Sequence, residues 1–162
     1  MRKIVVLVLA IASFTQANAQ GSDWIKLGIH AGLPIGDVTD SHALVLGLDL
    51  KYQFLNTNSY AVGISTGYTN YFGEDEIEDI GIIPIAGLFR YYPTKNFFLG
   101  ADLGYGFARS GDEDDNGFYY RPEIGYHDNN WNIYGFYQGI SLNELNPSSI
   151  GIGISFNIVR GS

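Results

Sequence analysis

Between Trp24 and Val159 the chain alternates, eight times over, an apolar or aromatic residue with a glycine, small, polar or charged one, in stretches of about 10 residues. Period two is the signature of a β-strand, whose side chains point to opposite faces in turn. Stretches of this length with one apolar parity fit a membrane-crossing strand that meets lipid on one side and a barrel interior on the other. The charges sharpen this reading, because each one inside a stretch is expected on the interior parity. Asp49 and Lys51 interrupt Leu44, Leu46, Leu48, Leu50, Tyr52 and Phe54 without entering the series, and Asp102 does the same within Leu99, Ala101, Leu103, Tyr105 and Phe107.

The strands are expected near 24–33, 43–54, 59–71, 80–92, 97–109, 117–127, 131–142 and 149–159. In the first, Ile25, Leu27, Ile29 and Ala31 face out, with Lys26, Gly28, His30 and Gly32 inside. In the eighth, Ile150, Ile152, Ile154, Phe156 and Ile158 face out against Gly151, Gly153, Ser155 and Asn157. Residues 82–88 are apolar on both parities, so Arg90 alone assigns the fourth strand. Asn132 and Gln138 assign the seventh.

The connections alternate in character. Pro34 to His42, Phe72 to Asp79, Ser110 to Asn116 and Asn143 to Ser148 are longer, and the first three are acidic. Asn56-Thr57-Asn58, Pro93-Thr94-Lys95-Asn96 and Asp128-Asn129-Asn130 are short and rich in turn formers. The pattern predicts an all-β fold, an eight-stranded antiparallel up-and-down transmembrane β-barrel. Long loops would lie outside the cell, with short turns and both termini in the periplasm. Aromatics flanking the turns, namely Tyr52, Phe54, Tyr60, Tyr91, Tyr92, Phe97, Phe98, Tyr126 and Trp131, read as an interfacial girdle.

Residues 1–19 read as a cleaved signal peptide: Arg2 and Lys3, the apolar run Ile4 to Ala12, then Ala17-Asn18-Ala19 before Gln20. Residues 20–162 then form the barrel domain. The chain has no cysteine, which excludes a disulfide framework, a thiolate metal site and a thiol nucleophile. Its formal charge of −8 becomes more negative by two without Arg2 and Lys3, which argues against nucleic acid as a partner.

Within the barrel, the inward charges are Lys26, Lys51, Arg90 and Arg121 against Asp49, Asp102 and Glu123. A desolvated interior must come close to neutrality, because an unpaired buried charge costs several kcal/mol. An internal network of ion pairs is therefore expected to fill the lumen of a barrel only wide enough for its own side chains.

The stretches Leu27-Gly28-Ile29-His30-Ala31-Gly32-Leu33, Ile83-Pro84-Ile85-Ala86-Gly87-Leu88-Phe89-Arg90-Tyr91-Tyr92-Pro93 and Arg121-Pro122-Glu123-Ile124-Gly125-Tyr126 resemble the small eight-stranded outer-membrane barrels. These are typified by the transmembrane domain of OmpA and by OmpX-like proteins, in the form common in Bacteroidetes as "porin family" barrels. The resemblance implies a Gram-negative outer-membrane location, contact with lipopolysaccharide, delivery by the barrel-assembly machinery, and a monomer. It brings no catalytic signature, and no residue is assigned a catalytic role.

Asp112-x-Asp114-x-Asn116-Gly117-x5-Glu123 matches the spacing of an EF-hand loop, which sets oxygen ligands around Ca²⁺. Residues 118–123 read as a strand, however, and would carry Glu123 about 17 Å away. The expectation is a solvated acidic loop without a cofactor. A looser divalent-cation site would draw on Asp112, Asp114 and Asn116 with Glu74, Asp75 and Glu76. Two other functions compete with a non-enzymatic, loop-presenting barrel: a narrow ion or small-solute channel, and a rim-site lipid A-modifying enzyme. The enzyme would need Ser41 and His42 to cooperate, yet adjacent strand residues point to opposite faces and no carboxylate is placed by sequence to orient the ring.

Overall fold

The computed structural model describes residues 24–74, 76–143 and 145–159. The expected signal peptide and Asp75 lie outside the described residues. Eight strands form in chain order: β1 (Trp24–Ile35), β2 (His42–Asn56), β3 (Tyr60–Gly73), β4 (Ile80–Thr94), β5 (Phe97–Ser110), β6 (Glu113–His127), β7 (Trp131–Ser141) and β8 (Ser148–Val159). Each pairs antiparallel with its sequence neighbours, and β1 pairs with β8 to close the barrel. The predicted fold class and strand order hold throughout.

The alternation sorts the side chains. Leu27, Ile29, Leu48, Ile64, Ile85, Leu103, Ile124, Ile152 and Phe156 are all exposed on the outer wall, Ile152 by 67%. Lys26, His30, Asp49, Lys51, Ser65, Thr69, Arg90, Asp102, Arg121, Glu123, Asn132 and Gln138 are buried inside. An apolar outer wall of this extent needs a non-aqueous covering. Closure satisfies the second requirement of a membrane, that no backbone edge be left unpaired in hydrocarbon.

Interior glycines make room for large rings across strand pairs. Gly47 lies under the imidazole of His30, and Gly153 under the phenol of Tyr134; a Cβ at either position would collide with the ring. These pairs let a narrow barrel hold bulky side chains without bending its wall.

Two expectations need correction at the third loop. The acidic run 110–116 does not form a long connection. β5 continues to Ser110 and β6 begins at Glu113, so only Gly111 and Asp112 turn the chain, with Gly111 at a φ of +55° that suits glycine. Ser110 faces Glu113 and Arg109 faces Asp114 across the extended hairpin. Arg109 also departs from the interior parity. It stands on the outer side, 3.8 Å from Asp114, with both side chains well exposed at the loop end. Hairpin pairing and an opposite charge across the strand outweigh the loop-like composition of this run.

Candidate functional site: the filled lumen and the loop-end rim

Six inward charged residues meet in the middle of the barrel. Arg121 grips Asp49 with both terminal nitrogens, Nη1 to Oδ1 at 2.8 Å and Nη2 to Oδ2 at 3.2 Å. Asp49 also accepts from the Tyr134 hydroxyl at 2.6 Å and lies 3.0 Å from His30 Nδ1. Glu123 is the hub, contacted by Lys51, by Arg90 Nη2 at 3.0 Å and by Arg121 Nε at 3.2 Å. Lys51 joins Asp102 at 3.0 Å. Lys26 donates to Asn132 Oδ1 at 3.2 Å and pairs with no carboxylate of the described residues. Six of the seven residues named from sequence thus form one connected network, and Lys26 stands beside it.

Rings pack around these charges, and Tyr92 and Phe98, expected on the girdle, are buried inside the barrel because strand alternation turns them inward. The Arg121 guanidinium lies 4.3 Å from the centre of Phe136, and that of Arg90 lies 4.2 Å from Phe98. A delocalised cation on an aromatic face recovers part of the solvation lost on burial.

Above the network, toward the loops, the interior becomes apolar. Val38, Val45, Tyr71, Ile80, Ile82, Ala108 and Ile140 form one buried cluster, with Leu142 and Leu145 packed against it. Tyr71 bridges the layers, donating from its hydroxyl to Ser149 Oγ at 3.1 Å. Sequence reading did not foresee this cap. Its signal lay in counting back from Arg90 by twos through Leu88, Ala86, Pro84, Ile82 and Ile80, which puts the apolar residues of β4 inside.

At the rim, several carboxylates hold loops in place. Asp79 accepts from Asn70 Nδ2 at 2.8 Å and from the Gly73 amide at 3.0 Å, closing the β3–β4 connection. The Asn70 side chain first, then the Gly73 amide, hold its carboxyl below the ordinary value. Asp115 receives the side chain and amide of Asn143, and Asp37 receives those of Asn146, tying the β7–β8 connection to its neighbours. A cavity of about 610 Å³ opens between this connection and the β5–β6 hairpin, with Ile80, Ala108, Leu142 and Leu145 among its lining beside Glu113, Asp114 and Asp115.

The candidate cation residues do not converge. Among the described residues, no three carboxylate, histidine or cysteine groups come together as a metal site. Asp114 and Asn116 lie on strand β6, where residues two apart are about 7 Å from each other, and Glu74 and Glu76 belong to the connection across from it. Ser41 and His42 do meet, with Ser41 Oγ 2.8 Å from His42 Nδ1, because Ser41 precedes β2 and escapes strand alternation. The imidazole is nevertheless buried, edge-on to Tyr71, and its Nε2 has no hydrogen-bond partner among the described residues.

The chain is similar in structure to Ail, the attachment invasion locus protein of Yersinia pestis, with a TM-score of 0.62 and 18% identity over 85% of this chain and 98% of that one. The fold is that of the small eight-stranded outer-membrane β-barrels. The N-terminal β-barrel domain of Pseudomonas aeruginosa OprF matches with a TM-score of 0.57 and 15% identity, covering 86% of this chain and 100% of that chain. A transmembrane β-barrel designed de novo matches at 0.54 and 14%, covering 86% and 98%. No family model and no curated protein sequence matches the chain. Since an outer-membrane barrel fold is shared by natural proteins and by a designed one, geometry alone assigns no task.

Proposed function

We propose that the protein is an integral outer-membrane barrel without enzymatic activity, which presents a rigid acidic rim outside the cell for envelope integrity, adhesion or ligand contact. The observation that carries this reading is the division of the surface. A continuous apolar wall surrounds the barrel, and polar connections latched by Asp37, Asp79 and Asp115 crown one end. The filled lumen leaves the loops as the surface available to a partner. Lipopolysaccharide and outer-membrane lipid contact the wall, the assembly machinery acts during insertion, and the barrel works as a monomer with both termini in the periplasm. The buried, capped ring of His42 supports the non-enzymatic reading, because a substrate at the rim does not reach its Nε2.

Ail has also been crystallised with the heparin analogue sucrose octasulfate. The rim carboxylates of this chain repel such a polyanion, so the partner sought here is neutral or cationic.

Heat-modifiability tests the membrane reading. Mature protein refolded in detergent should migrate anomalously on SDS gels until boiled, whereas a protein soluble without detergent and unaffected by boiling would overturn it. Adding Ca²⁺ should leave the unfolding temperature unchanged, because the acidic groups do not converge. The cysteine-free chain also permits an orientation test. On intact cells a membrane-impermeant maleimide should label Ile77→Cys and spare Lys95→Cys, and the reverse pattern would invert the proposed topology.

A further inference from the structure

The cavity between the β5–β6 hairpin and the β7–β8 connection has a floor and a lip of opposite character. Its floor is the upper face of the apolar cap: Ile80 and Ala108 belong to the buried cluster, and Leu142 and Leu145 pack on it from the connection. Its lip is made of carboxylates, since Glu113, Asp114 and Asp115 follow one another where β6 leaves the turn. Both meet in one recess of about 610 Å³, inside the range of about 300–1,000 Å³ in which small molecules bind.

The walls are fixed before anything enters. Asp115 accepts from the Asn143 amide at 3.2 Å and from its side chain at 2.9 Å, and the Ile140 amide donates to the Pro147 carbonyl at 3.1 Å. The connection is thus closed on itself and fastened to β6, so little ordering is lost on binding. Water over Ile80, Leu142 and Leu145 has few polar partners, and an apolar group that displaces it gains.

Charge decides which molecule suits this recess. Asp115 is committed to Asn143, but the other two carboxylates are not. Asp114 faces Arg109 at 3.8 Å with both side chains well exposed, and Arg109 Nε donates instead to the Gly111 carbonyl at 3.2 Å, which makes a loose pair of little strength. Glu113 has no ion-pair partner among the described residues. An anion is repelled by this lip, and a bare metal ion finds no converging donors. An ammonium group attached to an apolar body satisfies lip and floor together.

We infer that this recess binds a small organic ammonium ion carrying an apolar body, with the body over Ile80, Leu142 and Leu145 and the ammonium against Glu113 and Asp114. The inference rests on the proposed reading of the loop end as the outward-facing rim and names the class of ligand that the rim takes.

The probe is tryptamine, with indole-3-propionate as a similar ring system bearing an anion, titrated against the isotope-labelled mature protein in phosphatidylcholine nanodiscs at neutral pH. Saturable amide shifts at Ala108, Leu142 and Leu145 are expected from tryptamine and not from indole-3-propionate. In the Glu113→Gln, Asp114→Asn double variant tryptamine should bind about three- to tenfold more weakly. Glu76→Gln, which removes a rim carboxylate that does not line the recess, should leave the affinity unchanged. Equal shifts from both probes, no saturable shift, or an unaltered affinity in the double variant overturns the site. Gel migration of the same protein separates this outcome from the membrane reading. A heat-modifiable barrel that fails to bind tryptamine refutes the site alone, and tryptamine bound at these residues by a protein that is not heat-modifiable refutes the membrane reading alone.

Discussion

Glu123 shows how much of the interior rests on one side chain. It faces Lys51, Arg90 and Arg121, so Glu123→Gln leaves three buried cations with only Asp49 and Asp102 to balance them. Removing one member of a buried ionic cluster costs about 3–5 kcal/mol. Urea unfolding of the variant in lipid should show a loss of this order, with the anomalous gel migration of the folded fraction retained. Asp79 behaves differently because it is exposed at the rim. Its hydrogen bonds from Asn70 and Gly73 hold the carboxyl below its ordinary value of 3.8, so folding favours the ionised form. The contribution is therefore fully present above that ordinary value and is lost as pH falls through the lower folded value. The Gly73 amide resonance should stay constant from neutral pH down to about 5 and move in more acidic solution; an Asp79→Asn variant should remove that movement.

At the scale of the strand, packing depends on glycines that face rings. In Gly153→Val the new side chain collides with Tyr134, whose hydroxyl must leave Asp49. Overpacking of this kind costs roughly 1–3 kcal/mol, readable as a lower unfolding temperature with strand content unchanged by circular dichroism. Strands were the most legible part of the sequence, because lipid outside and a desolvated interior impose period two along their whole length. Arg90 alone was enough to set the faces of β4, and Asn132 and Gln138 those of β7. The β5–β6 connection was not legible. Glu113 to Asn116 have the composition of a loop, and their strand pairing with Phe107 to Ser110 is a tertiary choice that composition does not record. The lumen charges were readable as a set, since parity gathers them, but which cation lacks a carboxylate depends on distances around the barrel wall. The contact between Ser41 and His42 was misread for a related reason, as strand alternation was applied one residue beyond the strand.

Across the whole molecule the interior is layered, with aromatic rings and Lys26 toward the turns, ion pairs in the middle and an apolar cap toward the loops. Water crossing the barrel meets two barriers in series. Breaking the ionic layer by Arg90→Ala should therefore leave planar-bilayer conductance at the closed baseline, because Tyr71, Ile82 and Ile140 still fill the lumen above it. A current from Arg90→Ala alone would mean that the cap does not seal. Of the eight strand pairings, seven join neighbours in the chain, and only β1 with β8 joins its ends. That seam, running from Ile25 with Val159 to Ile35 with Ser148, has no hairpin to bring it together. Every other contact can form as the polypeptide is delivered, but the wall stays open until the twelve residues of β8 arrive. A chain cut short before β8 would carry two bare edges that hydrocarbon cannot solvate, so a nascent barrel has no stable partly inserted stage and commits to the bilayer in its last step.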